Sequence, residues 1–239
     1  MFDILPRIEL LRLSGIDLTS IDWFVINYSA KPFQKETLSW LEIPLEKVVS
    51  SDEASFIQAE ELIAPSFPGY LDWVTFGTVK FLRQTFLTKV SMDGSKFGKK
   101  IYVSRARAQT RQVINEDAVT KFLSTLGFKT VYLEEMSILE QVALFANAEV
   151  VVSPHGSGLT NLVFCSPKTK VIELFSPYYT RTDYWVISQH LGLEHFYCLG
   201  ENFNCPPLRN LMYQSAMAED ISVNLNSLEL ILKAAGVSH

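Results

Sequence analysis

The residues best suited to chemistry in this chain stand at two breaks between structured segments. The first is Pro154-His155-Gly156-Ser157-Gly158-Leu159-Thr160-Asn161, which follows the β-branched run Glu149 to Ser153. Gly156 and Gly158 carry no Cβ, so a ligand can approach the backbone closely there. A helix opening near Gly158 would turn the N–H groups of Gly158, Leu159 and Thr160 outward at its positive end, which suits a phosphate. His155 can donate a hydrogen bond to an oxygen gaining charge, which makes it a candidate catalytic residue. Ser157, Thr160 and Asn161 add polar side chains.

The second break is Ser104-Arg105-Ala106-Arg107-Ala108-Gln109-Thr110-Arg111, leading to Asn115 and Glu116. Guanidinium forks match diphosphate oxygens two at a time. Glu173, inside the run Lys170 to Phe175, is placed where a carboxylate can accept from ribose hydroxyls. Each feature also has a plainer explanation: a tight turn, a solvated basic loop, a partner at a strand-to-helix junction. Two anion-suited features at one edge of one sheet favour a ligand over coincidence.

The elements that must position these residues follow from periodicity. Asp3 to Leu13 has helical spacing closed by Gly15; Asp22 to Asn27, Lys47 to Val49 and Glu61 to Pro65 read as strands, and Phe33 to Leu41 and Leu71 to Val90 as helices. Polar residues 91–98 read as a linker. Beyond it, strands are expected at Lys100 to Ser104, Lys129 to Leu133, Glu149 to Ser153, Lys170 to Phe175 and His195 to Leu199. Helices alternate with them: one capped by Asn115 and stopped at Gly127, one opened by the Ser137-x-x-Glu140 box, a short one from Gly158, one at Asp183 to Leu191 and a last one at Leu225 to Ala235. Strands rich in Val and Ile, separated by helices, predict a parallel sheet covered on both faces, a doubly wound α/β domain. Ligands of such sheets bind beyond the carboxyl ends of the strands. The expected division is a smaller α/β domain over residues 1–90, the linker 91–98, and the ligand-binding domain over 99–239.

Composition narrows the function classes. The 239 residues are 48% hydrophobic and 20% charged, enough to bury roughly 70–75% of the unfolded surface without disulfides or metals. A net charge of −5 gives no basic footprint for nucleic acid. Cys165, Cys198 and Cys205 are odd in number and form no C-x-x-C pair, which argues against a disulfide framework or a zinc site and favours a reducing compartment. No run approaches the ~20 apolar residues of a membrane span, and no export signal is visible. No D-x-D pair is present to hold a divalent ion against a diphosphate, so donor binding without a metal or other cofactor is expected.

Three stretches, SRARAQTRQVINE, EEMSILEQVALFANAEVVVSPHGSGLTNLVF and VIELF, together resemble the glycosyltransferase 61 family over about Lys100 to Leu199. The family pattern is S-R-x5-R-x-[IV]-x-N-E, then G-x-H-G-[AS]-G-L-[TS]-N, then V-[IV]-E-[LIF]. Ser153-Pro154 departs from the small residues usual before the histidine. FDILPRIELL is similar to the second half of an upstream motif, N-[YF]-x-H-W-x-x-D-x-L-P-R, whose His-Trp half would precede Met1.

The resemblance implies a two-domain GT-B architecture with an apparently truncated first domain. It implies inverting transfer of a sugar from a nucleotide donor, expected to be a uridine diphosphate sugar, to a hydroxyl of a glycan. Carried over to this sequence, Arg105 and Arg111 would contact the diphosphate and Ser104, Asn115 and Glu116 would shape that site. His155 to Asn161 would cradle phosphates and sugar, Glu173 would lie near the ribose, and Asp3 would be the candidate base. Prokaryotic members of such families typically build surface polysaccharides in the cytoplasm, so this chain is expected there or at the periphery of the inner membrane, and without the His-Trp half it is expected to transfer sugar poorly or not at all. Two rivals stand beside this reading. A nucleotide-sugar-binding module without activity would keep the donor site alone. A dinucleotide-dependent oxidoreductase or epimerase would show G-x-G-x-x-G after its first strand, and YVSRARAQTR has no glycine there.

Overall fold

A computed structural model describes residues 1–54, 56–70, 73–90, 98–202 and 204–237. They group into two compact units, Met1–Lys89 with Ser137–Leu139, and the remainder. Of the expected linker, residues 91–97 lie outside the described residues.

The first unit holds α1 (Leu5–Leu13), β1 (Phe24–Ile26), α2 (Pro32–Trp40), β2 (Val48–Ser50) and α3 (Phe76–Leu87). β1 and β2 pair in parallel, Phe24 opposite Val48. Buried Ile8, Leu11, Leu38, Leu82 and Phe86 form its interior, with the Trp40 ring 5.3 Å from Phe86. Two expectations are corrected. Glu61–Pro65 forms no strand: Leu62 is 79% exposed, no neighbouring chain completes a ladder, and Pro65 has no N–H to donate. Of the helix expected over Leu71 to Val90, residues 71–72 lie outside the described residues, and the described helix starts at Phe76, where the Thr75 side chain accepts from the N–H of Thr78 and closes the first turn.

The second unit is built on β3 (Lys100–Val103), β4 (Lys129–Val131), β5 (Val150–Pro154), β6 (Lys170–Phe175) and β7 (Glu194–Leu199), with α4 (Glu116–Thr125), α5 (Ile138–Asn147) from Glu140 onward, α6 (Asp183–Leu191), α7 (Pro206–Met212) and α8 (Leu225–Ala234) between and after them. The strand order is β4-β3-β5-β6-β7 and every pairing is parallel. Tyr102, Val152, Ile172 and Leu174 pack with Val119 and Leu123 of α4 and Leu228 and Leu232 of α8. Their alternates Ile101, Val151 and Val171, equally buried, face the other way. This is why the central strands read as continuous apolar runs rather than as alternating ones. The strand expected over Lys129–Leu133 ends at Val131 and gives way to a 3-10 turn at Leu133–Glu135.

The order has a consequence for binding. From β3 the chain winds outward to β4, then crosses back to lay β5 on the other flank of β3. Two connections therefore leave in opposite directions from the carboxyl ends of β3 and β5, the arrangement at which ligands of such sheets bind. Arg105 follows β3 and His155 follows β5, so both stand at this switch point.

Candidate functional site

The β3 connection starts with residues that hold the loop rather than face a ligand. Ser104 is buried; its Oγ donates to Glu116 Oε1 at 2.9 Å and accepts from the N–H of Ala106 at 3.1 Å. The same Glu116 oxygen accepts from the Tyr102 hydroxyl at 2.8 Å, and burial, ahead of the carboxylate, raises the pKa of that phenol above its ordinary value. Asn115 precedes α4 without capping it through its side chain: Nδ2 donates to the Val223 carbonyl at 2.8 Å and Oδ1 accepts from the Val223 N–H at 3.0 Å. Ser104, Asn115 and Glu116, expected to shape the donor site, thus tie β3, α4 and the chain before α8 together. Arg107 pairs with Glu135 and lies 4.7 Å over the Tyr132 ring, away from the other arginines' partners.

Arg105 and Arg111 behave differently. Arg111 adopts φ +56°, a left-handed conformation that costs a non-glycine residue roughly 1–3 kcal/mol. Its Nε donates to the His155 carbonyl at 3.0 Å and its Nη1 to the Met217 carbonyl at 2.5 Å, and these bonds hold it against the strain. Arg105 is half-buried. Its Nη2 donates to the Thr110 carbonyl at 2.9 Å. Its Nε is, among the described residues, the one buried side-chain nitrogen or oxygen without a hydrogen-bond partner. Burial first, and the Arg111 charge second, hold the Arg105 guanidinium below its ordinary pKa. A half-desolvated cation with an idle donor, set beside a second cation, is the electrostatic complement of an anion.

The β5 loop completes the arrangement. A Cβ on Gly156 would lie 2.1 Å from Arg105 Nη1 and 2.7 Å from Cζ, so the absent side chain is what admits the guanidinium. Gly156→Ala is therefore expected to push Arg105 aside. Because the obstruction is the tip of a flexible side chain, melting should barely change while affinity for uridine diphosphate falls. Equal affinity by calorimetric titration would show that Arg105 is not held over this glycine for binding.

Gly158 serves packing instead, its Cβ direction meeting Leu133 Cδ1 at 3.0 Å and Val103 at 3.5 Å. The expected helix is a 3-10 helix over Ser157–Phe164. Within it the Leu159 N–H is already given to the Gly156 carbonyl at 2.9 Å and the Leu159 side chain is fully buried. Asn161 is buried too, its amide donating to Gln141 Oε1 at 2.9 Å and to the Gly158 carbonyl at 3.2 Å. Leu159 and Asn161 thus anchor the loop. Ser157 is exposed and Thr160 half-buried; the Thr160 hydroxyl hydrogen-bonds the Tyr184 phenol, whose pKa burial pushes up to about 12.

His155 and Glu173 lie deeper than expected. His155 is 5% exposed, its ring 5.1 Å from Phe175, 5.4 Å from Tyr179 and 5.3 Å from Tyr184. Its Nδ1 lies 2.6 Å from Glu173 Oε1, and Glu173 Oε2 lies 3.0 Å from His195 Nε2. At 1% exposure, with both oxygens engaged, Glu173 faces histidines and not a ribose. Asp3 belongs to the first unit, exposed ahead of α1, and its backbone carbonyl accepts from Arg7 Nε at 3.1 Å.

The structure thus gathers Arg105, Arg111, the His155 backbone and Gly156 into one cluster. It also adds Tyr179, Tyr184 and His195, for which the sequence carried no spacing signal; only the pairing of β6 with β7 brings His195 to Glu173.

The chain is 42% identical over 60 residues to a beta-1,2-xylosyltransferase of Oryza sativa subsp. japonica, which is 25% of this chain and 11% of that protein. It is 31% identical over 99 residues to protein O-linked-mannose beta-1,4-N-acetylglucosaminyltransferase 2 of Canis lupus familiaris, covering 40% of this chain and 17% of that one. It is 26% identical over 93 residues to the EGF domain-specific O-linked N-acetylglucosamine transferase of Mus musculus, covering 36% and 18%. The matched stretches thus span less than a fifth of each relative's length. The glycosyltransferase 61 family pattern matches residues 1–172, from α1 through the Gly156 loop into β6, and the chain is a member of that family.

Proposed function

We propose that this chain binds the diphosphate of a nucleotide sugar between Arg105 and Arg111 and serves inverting transfer of the sugar to a hydroxyl of a glycan. The observation that carries the reading is the idle, buried Arg105 Nε beside a second guanidinium at the switch point of a parallel sheet. Departure of a nucleoside diphosphate develops negative charge on the leaving group, and fixed cations there lower the barrier more than they favour the ground state. Donors of xylose and N-acetylglucosamine, the sugars named for the relatives, are the first to test.

Two further parts complete the reading, the first from the family resemblance and the second from the absence of a D-x-D pair in the sequence. A GT-B partner domain supplies the acceptor side, with Asp3 as the base that takes the hydroxyl proton. The guanidinium pair supplies the charge that a divalent ion would otherwise bring, so binding proceeds without metal, in a cytoplasmic setting. Calorimetric titration with uridine diphosphate in the presence of excess chelator is expected to show saturable heat. A flat titration with chelator that recovers on adding magnesium would remove the metal-free part, and a flat titration in both conditions would remove the donor site itself.

A further inference from the structure

Behind the cluster lies a buried chain of polar groups. Glu173 on β6 and His195 on β7 occupy the same face of neighbouring strands, Glu173 standing opposite Tyr197 in register. On the far side of His195, Nδ1 lies 2.7 Å from Ser188 Oγ on α6, and that hydroxyl reaches the Tyr184 carbonyl at 2.9 Å. Ser188 is fully buried and the His195 side chain is 4% exposed. A carboxylate offers only acceptors, so the ring nitrogens facing Glu173 present N–H groups, and each oxygen fixes one imidazole. Arg111 then closes the path, since its Nε binds the carbonyl of the same His155 whose ring Glu173 holds.

Such a buried polar network costs free energy to desolvate, and an apolar filling would pack the same space without that penalty. Its geometry has an evident use: it holds one loop residue, His155, by its ring, while the backbone of that residue holds Arg111 in a conformation arginine does not favour.

We propose that His195 and Ser188 are positioning residues for the anion site, acting through Glu173 and His155 to hold Arg111 in place. The inference rests on the diphosphate reading above only for what the site binds. His195 sets the lateral position of Glu173, Glu173 sets the His155 ring, and the His155 carbonyl sets the Arg111 guanidinium. Ser188 fixes the rotation of the His195 ring from α6.

The test uses the full chain with His195→Leu, His195→Gln and Ser188→Ala, read by titration with uridine diphosphate and by nitrogen-15 NMR of the imidazole rings and of the Arg111 Nε–H. His195→Leu is expected to weaken binding about tenfold, the weight of one hydrogen bond to a charged group, and to move the His155 and Arg111 resonances while thermal unfolding stays cooperative. His195→Gln, whose amide N–H can reach Glu173, is expected to restore most of the affinity, and Ser188→Ala to fall between. Wild-type affinity and unmoved resonances in a folded His195→Leu protein would overturn the proposal, as would a His195→Gln protein impaired as much as His195→Leu. Should His195→Leu fail to fold, Ser188→Ala decides on the same two readouts. Should the wild type bind no uridine diphosphate, the donor reading falls and the resonances alone decide whether His195 positions Arg111.

Discussion

Arg105→Met is expected to lower the affinity for uridine diphosphate by about 10- to 100-fold while leaving the melting temperature unchanged or raised. The first half follows from charge-assisted hydrogen bonds: each is worth about 1.5–3 kcal/mol, and Arg105 has an Nε–H with nothing else to bind. The second half follows from desolvation. Arg105 is half removed from water beside Arg111 with a single carbonyl acceptor, so the fold bears a cost that methionine, similar in length and neutral, does not impose. Opposite signs for binding and stability mark a residue kept for a ligand. Arg111→Ala provides the contrast. It removes two bonds to loop carbonyls and keeps the Cβ that strains a positive φ, so stability and binding should fall together. A loss of stability in Arg105→Met with undiminished binding would turn Arg105 into a structural residue.

Glu173→Ala is expected to cost about 3–5 kcal/mol of folding stability, measured as the shift in a urea unfolding curve at neutral pH. Few positions in the chain should be as sensitive. Glu173 is almost fully buried between two imidazoles, and its loss strands His155 Nδ1 and His195 Nε2 in the interior together with a cavity. Glu173→Gln should cost less, because the amide oxygen still accepts from one ring while its NH2 opposes the other. A loss below about 1 kcal/mol for Glu173→Ala would mean that water or a rotated ring replaces the carboxylate and that the pairing is incidental. The position of Glu173 also explains why a ribose contact, natural for an acid on this strand, is displaced: β7 adds a parallel strand beside it and brings His195 onto the same face.

Much of this protein is written locally. The alternation of apolar strands and helices from Lys100 onward, the stop at Gly127 and the loop at Gly156 follow from side-chain period and backbone freedom, which are properties of a few adjacent residues. The arginine pair was legible for the same reason, since guanidinium groups at a strand end carry their chemistry with them. Individual roles within the motifs were not. Ser104, Asn115 and Glu116 are as polar as ligand-binding residues must be, yet their partners are Val223, Tyr102 and one another, fixed by how α4 and the segment before α8 lie on the sheet. Glu61–Pro65 has strand-forming residues and no strand, because a ladder needs a neighbour that composition cannot supply.

The sequence by itself therefore determined the class of fold and the edge of the sheet at which two arginines and a glycine loop stand. Tertiary structure alone decided which polar side chains gather at that edge and which are spent inside, because a hydrogen bond goes to the nearest unsatisfied group in space. For His155, Glu173 and His195 that neighbour comes from another strand.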